Sequence, residues 1–335
     1  MNRLGYPQKF ALISFLFALP LALFLFFMAS ESRTWIAFAE KERLGVEYNR
    51  HLRRLFDELE KHRGMTMAYA SGDAALEAPL RRAQLGVGTA ITAVDRVDRE
   101  LGGTLDTREK WQALRARWLQ LKDEVLSRSP REGFESQTAV IGDLLALVTH
   151  VGDTSNLIVD PELDSYYLMD TLITRLLRVV EDLGQARALG AGIATRRGAT
   201  VEERIRLAAL VGETQAAVAA MHRGLGVAFD VNPRLRPRLQ GLLKDSVAAT
   251  DEFLRTIQAG LLGAGPIDVA AADYLAAGSR AIDAAFRIYD QTSPALDDLL
   301  ATRIDRTGES STSSERSSSS CCSSSATYSW ASTRR

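Results

Sequence analysis

Arg63 is the first side chain along the sequence placed to bind something. It lies in Glu60-Lys61-His62-Arg63-Gly64, with Leu59 and Met67 apolar on the same stripe. A guanidinium at the edge of an apolar helix face offers fixed, planar donors suited to a small oxyanion or a carboxylate ligand. The same residue can equally be a structural arginine, paired with a carboxylate from a neighbouring helix. A second arginine stands in a comparable place. Laying LEKHRGMTMAYASGD, from Leu59, over LGQARALGAGIATRRG, from Leu183, sets Leu59 on Leu183 and Arg63 on Arg187. Small residues follow each arginine and leave room beside it. The candidate ligand contacts of this region are Arg63, Arg187 and the neighbouring His62.

A second polar concentration is Asp153-Thr154-Ser155-Asn156-Leu157-Ile158-Val159-Asp160-Pro161-Glu162-Leu163-Asp164-Ser165-Tyr166-Tyr167-Leu168-Met169-Asp170. Asn156, Asp160, Asp164 and Tyr166 have the side chains to cap two helix ends and bond across a turn. They have equally the groups to form a polar pocket wall between two bundles, with Asn156 and Tyr166 as ligand contacts.

Other chemistry is hard to find. The four histidines, His51, His62, His150 and His222, form no His-x-x-x-His or Glu-x-x-His pair, which argues against zinc. Both cysteines, Cys321 and Cys322, are adjacent in a serine-rich tail, so the sequence offers no disulfide framework and no cysteine metal site. There is no Gly-rich phosphate loop and no Gly-x-Ser-x-Gly elbow. The expectation is a binding protein, not an enzyme, with no cofactor and no metal. A formal charge of -1 gives no bulk attraction to nucleic acid.

The elements that must position these groups are helices. Alanine, leucine, arginine and glutamate dominate and prolines are few, a composition for long helices and not for sheet. Apolar residues recur three or four apart through Trp35, Leu44, Tyr48, Leu52, Leu55 and Leu59, a helix expected to end near Ser71-Gly72-Asp73. A second helix follows over about 74–101, closed by Gly102-Gly103. A third, over about 107–127, carries Trp111, Leu114, Trp118 and Leu121 on one face. Ser129 to Gly133 reads as a break, and a fourth helix as 134–159. Asp160-Pro161 reads as an N-cap and first-turn proline opening a long helix to about Arg196. Thr200-Val201-Glu202-Glu203 is a capping box. Further helices are expected over about 235–261 and 269–306. The fold class is all-α: a transmembrane helix followed by two stacked antiparallel helical bundles, the halves lying at about 31–159 and 160–306.

The membrane segment is FALISFLFALPLALFLFFM, from Phe10 to Met28, long enough to cross a bilayer and uncharged throughout. Arg3 and Lys9 precede it, whereas Glu31 and Arg33 follow. The positive-inside bias therefore puts residues 1–9 in the cytoplasm and 31–306 outside it. A cleaved signal peptide would have a shorter apolar core and a small-residue cleavage site in place of FLFFM.

At the two polar segments the sequence resembles a known family. LEKHRGMTMAYASGD is similar to the arginine-bearing helix of nitrate/nitrite-sensing-type (NIT-like) helical sensor regions. DTSNLIVDPELDSYYLMD resembles the corner found in periplasmic sensor regions of bacterial methyl-accepting chemotaxis proteins, sensor histidine kinases and diguanylate cyclases. The resemblance covers about residues 3–306. It implies a helical periplasmic sensor in the inner membrane, a homodimer, a HAMP relay to an output domain, and a small anionic or carboxylate ligand. The anion-binding arginines would map onto Arg63 and Arg187. In place of the paired arginines of nitrate sensors, His62 precedes Arg63.

Residues 307–335 break the pattern. The resemblance calls for a second transmembrane helix there, yet the sequence is TGESSTSSERSSSSCCSSSATYSWASTRR. Serine codons TCN read one base earlier become NTC, which encodes Leu, Val, Ile or Phe. The tail is thus expected to be a frameshifted membrane helix. Three functions compete: the sensing region of a chemotaxis-type transducer without its output domain, the same input module of a histidine kinase or diguanylate cyclase, and a tethered helical scaffold without ligand.

Overall fold

The computed structural model describes residues 5–70 and 77–331, with the side chains of Ala68 and of residues 310–331 left aside. The expected end of the first helix at Ser71-Gly72-Asp73 therefore lies outside the described residues. Helix α1 runs Tyr6–Ala70, α2 Glu77–Leu101, α3 Arg108–Glu124 and α4 Pro130–Thr154. They are followed by α5 Leu163–Met169, a π-helical turn at Asp170–Leu176, α6 Leu177–Arg196, α7 Val201–Val231, α8 Arg236–Gly260 and α9 Ala271–Ala331. No strand occurs among the described residues.

The chain forms two compact units, residues 1–41 with 299–335, and residues 42–298. In the first, α1 is long and apolar enough to cross a membrane. Phe10, Phe15, Phe17, Phe24, Phe26 and Phe27 are each 63% to 75% exposed. Each is unfavourable in water by roughly 1.5–3 kcal/mol, a cost that lipid removes. Pro20 sits within α1 without ending it.

The second unit is built from two groups of antiparallel helices. Leu52, Leu55 and Leu59 of α1 are buried with Val87 and Ile91 of α2, Trp111 and Trp118 of α3, and Val140 of α4. The third helix buries Trp111, Leu114, Trp118 and Leu121, the face its spacing specifies. The other group comprises α5 to α8 and the first part of α9. Phe253 of α8 and Tyr274 of α9 meet at 5.1 Å between ring centroids. The Tyr274 hydroxyl donates to the Ala186 carbonyl of α6 at 2.8 Å. The groups join where α1 lies antiparallel to α9. Arg43 binds Asp297 at 2.8 Å, Arg53 binds Asp290 at 2.9 Å, and Phe56 meets Phe286 edge-on.

The Thr200 capping box forms as expected, its hydroxyl accepting from the Glu203 amide at 3.1 Å. Three boundaries differ from the sequence reading. Ser129-Pro130 starts α4 instead of breaking the chain: Ser129 and Glu132 form a second capping box, and the proline needs no amide at the first position. Helix α4 stops at Thr154, five residues early, because Asn156 adopts the left-handed conformation at φ 72°. The single helix expected from Asp160 to Arg196 is divided by the π turn. That wider turn keeps Thr171, Leu172, Ile173, Leu176 and Leu177 buried together.

Candidate anion-binding site

Glu60 and Arg63 sit three residues apart on α1, so they share one face. That face crosses α6 where Gly184 lies. A Cβ on Gly184 would overlap the Glu60 carboxylate and come within 3.1 Å of Arg63 Nη2. The absence of a side chain at this position is what lets the charged groups of α1 reach across. From α6 come Glu181 and, six residues on, Arg187.

Arg63 is only 1% exposed. Its Nη1 donates to Glu181 Oε1 at 2.7 Å and to Thr138 Oγ1 of α4 at 2.8 Å. Its Nη2 donates to Glu181 Oε2 at 3.1 Å and also to Glu60 Oε1. The Phe134 ring covers its face at 4.9 Å. Gln185 donates to Glu181 Oε1 at 2.6 Å. Burial by itself would lower the Arg63 pKa, but Glu60 and Glu181 outweigh it and hold the guanidinium charged.

The two carboxyls part company. Burial pushes Glu60 well above the ordinary range, and the nearby Glu181 adds to the rise. Glu181 is pushed up by burial too, yet the Arg63 charge and hydrogen bonds from Glu60 and Gln185 bring it below the ordinary value. Two buried carboxyls on one guanidinium nitrogen thus hold a proton on Glu60 more readily than on Glu181.

Arg187 completes the cluster. Its stem crosses Gly278 of α9, and its Nη1 donates to Ser279 Oγ at 3.1 Å. A Cβ on Gly64 would stand 3.7 Å from its Nη2, which sets the guanidinium beside the residue following Arg63. Burial lowers its pKa, and of the charges acting on it Glu60 opposes that shift while Arg63 adds to it. The two arginines matched in the sequence overlay therefore meet around one carboxylate pair. The same overlay sets Gly184 on Glu60, and the Glu60 carboxylate fills the space beside Gly184.

The remaining candidates lie elsewhere. His62 turns to the other side of α1, where Nδ1 meets Gln137 Oε1 at 2.6 Å and the ring packs edge-on against Trp118. Burial lowers its pKa, and its place is in the core of the first helical group. Asn156 provides the left-handed turn after α4, and Tyr166 stacks edge-on with Tyr167 at 5.2 Å. Tyr166 precedes Glu181 by fifteen residues of helix, roughly 20 Å of rise. The corner is therefore not part of the arginine cluster. Its polar groups fix the chain instead: Asp160 Oδ1 accepts from the Glu162 amide, and Asp164 Oδ2 accepts from Asn232 beyond α7. Of the two readings open for Arg63 in the sequence, the carboxylate-paired arginine is the one its ion pairs with Glu60 and Glu181 display.

Glu60, Glu181, Thr138 and Gly184 were missed. Only Glu60 had a local signal, its three-residue spacing from Arg63.

Comparison with known proteins gives the family of the region that holds this cluster. The profile of the nitrate and nitrite sensing family, NIT, matches residues 54–297, a stretch that takes in the whole cluster. The chain belongs to the NIT family. This NIT region also resembles in fold the structure of the NasR transcription antiterminator, with a TM-score of 0.63 at 15% identity. That likeness covers 83% of this chain and 74% of the other. No curated protein sequence matches the chain.

Proposed function

We propose that this chain is the ligand-sensing region of a membrane-anchored bacterial signal transducer of the methyl-accepting chemotaxis type. Its ligand is a small oxyanion, nitrate or nitrite, bound between Arg63 and Arg187. The observation that carries this reading is the meeting of these two arginines where α1 crosses α6, in a chain of a nitrate- and nitrite-sensing family. Planar oxyanions present paired oxygens to a guanidinium as a carboxylate does, and Glu181 already engages Arg63 in that way.

The apolar part of α1 anchors the chain in the inner membrane, and residues 42–298 form the sensor on its periplasmic side as a homodimer. Both arginines lie on helices that pack across the sensor. A ligand with different affinities for two arrangements of α1 and α6 would shift the balance between them, which is coupling and not chemistry.

Thermal denaturation of the full chain in detergent tests the reading. A ligand present at a hundred times its dissociation constant stabilises the folded state by about 2.7 kcal/mol. Nitrate or nitrite should raise the melting temperature while chloride and sulfate do not, and Arg187→Ala should cut the rise by about half or more. A melting temperature unmoved by nitrate, nitrite and small carboxylates would overturn the proposal.

A further inference from the structure

We propose that this site takes up its anion together with a proton, because the anion-binding form is the one in which the Glu60–Glu181 pair holds one proton. The inference rests on the anion-sensing reading above and adds its regulation.

Glu181 sits on Arg63 as a bidentate oxyanion would, with contacts of 2.7 and 3.1 Å to the two terminal nitrogens. It is in effect an internal ligand, and an incoming anion must displace or share it. Glu60 accepts from the same Nη2, so two carboxyls already converge on one nitrogen. Arg63, Glu60 and Glu181 are all nearly sealed from solvent, at 1%, 3% and 4% exposure.

The charge count then decides. Arg63 and Arg187 supply two positive charges, and Glu60 and Glu181 supply two negative ones when both are ionised. A further anion would leave a net negative charge in a buried site, which is strongly unfavourable. One proton taken from solvent onto the pair restores neutrality, and Glu60 is the member whose surroundings favour it.

The other groups facing the pair do not carry that proton. From α1 and α6 these are Arg63, Arg187 and Gln185, from α4 Thr138, and from α9 Ser279 beside Arg187. Asp182, next to Glu181 on α6, is buried as well, but it pairs with Arg178 at 3.1 Å and its carboxyl, pushed up by burial to about 6, is ionised over most of the range tested below. Asp283 of α9 acts on Arg187, but it is solvent-exposed. His62 is turned away towards Gln137.

The test is calorimetric titration of the full chain with sodium nitrate between about pH 6 and about pH 9, in buffers of different ionisation enthalpy. Above the titration of the pair, affinity should fall up to about tenfold per pH unit, with up to one proton taken up per nitrate. Glu60→Gln, neutral at every pH, should bind with an affinity that no longer varies with pH. Nitrate binding in the wild-type chain that is independent of pH and buffer overturns this inference and leaves the sensing reading standing. Absence of nitrate binding across the whole range overturns both. The wild-type titration decides the matter alone if Glu60→Gln does not fold.

Discussion

Arg63 of α1 and Glu181 of α6, 118 residues apart, are joined by two parallel hydrogen bonds of 2.7 and 3.1 Å in a site closed to solvent. This pair ties the two helical groups of the sensor together. It also makes Arg63 the worst position at which to look for a ligand effect free of a stability effect. Arg63→Ala would strand Glu181 beside Glu60, and removing one partner of a buried pair typically costs about 3–5 kcal/mol. The expected result is a large fall in the melting temperature of the ligand-free chain, measured by circular dichroism.

Arg187 should behave differently. The one hydrogen bond described for its guanidinium goes to the neutral Ser279 hydroxyl, and its ionised form is already disfavoured by burial. Arg187→Ala should change ligand-free stability by less than Arg63→Ala does. Loss of a charge-assisted contact worth about 1.5–3 kcal/mol should weaken nitrate binding about ten- to a hundredfold. Melting curves and titration calorimetry on the same preparation separate the two effects.

Gly184→Ala should break the crossing. The new methyl would meet the Glu60 carboxylate and Arg63, neither free to retreat, so a loss of about 1–3 kcal/mol is expected together with impaired nitrate binding. Gly212→Ala is the matched control, an exposed position within α7 with nothing inside 4 Å of the added carbon. There the substitution should stabilise the helix by up to about 1 kcal/mol. Equal melting temperatures for the two variants would contradict the steric account.

Stability should also depend on pH through Asp182. Burial pushes its carboxyl up from the ordinary value to about 6, against the partial relief given by Arg178. A raised acid pKa means that ionisation is harder in the folded chain than in the unfolded one. Stability is therefore lost as pH rises through about 6 and regained as pH falls towards the unfolded value. Arg178 is half-exposed and screened by solvent, so the expected change from about pH 7 to about pH 5 is on the order of 1 kcal/mol. Asp182→Asn should melt higher than the parent above neutrality, and the difference should vanish near pH 4.

Topology can be checked at the loop after α2. An alkaline phosphatase fusion at Gly103 should be active and a β-galactosidase fusion there inactive. The reverse pattern would put the sensor on the cytoplasmic side.

The all-helical fold was written in local pattern. Apolar spacing marked the inward face of α3, and the capping box at Thr200 marked the start of α7. The uncharged run from Phe10 to Met28 marked the segment suited to a membrane. These signals survive without tertiary structure because each depends on residues within a turn or two of one another, or on composition alone. The overlay of Leu59 on Leu183 even paired the two arginines that share a site. What the sequence could not decide was whom Arg63 binds. The choice between a protein carboxylate and a ligand depends on which helix lies opposite, and that is set by Gly184 allowing α1 and α6 to approach closely. The same holds for the π turn at Asp170–Leu176 and for the separation of Asn156 and Tyr166 from the arginines. Charge is local in sequence, but burial and proximity arise only once distant helices pack. The raised pKa of Glu60 and the closed ion pair on Arg63 are therefore properties of the tertiary structure.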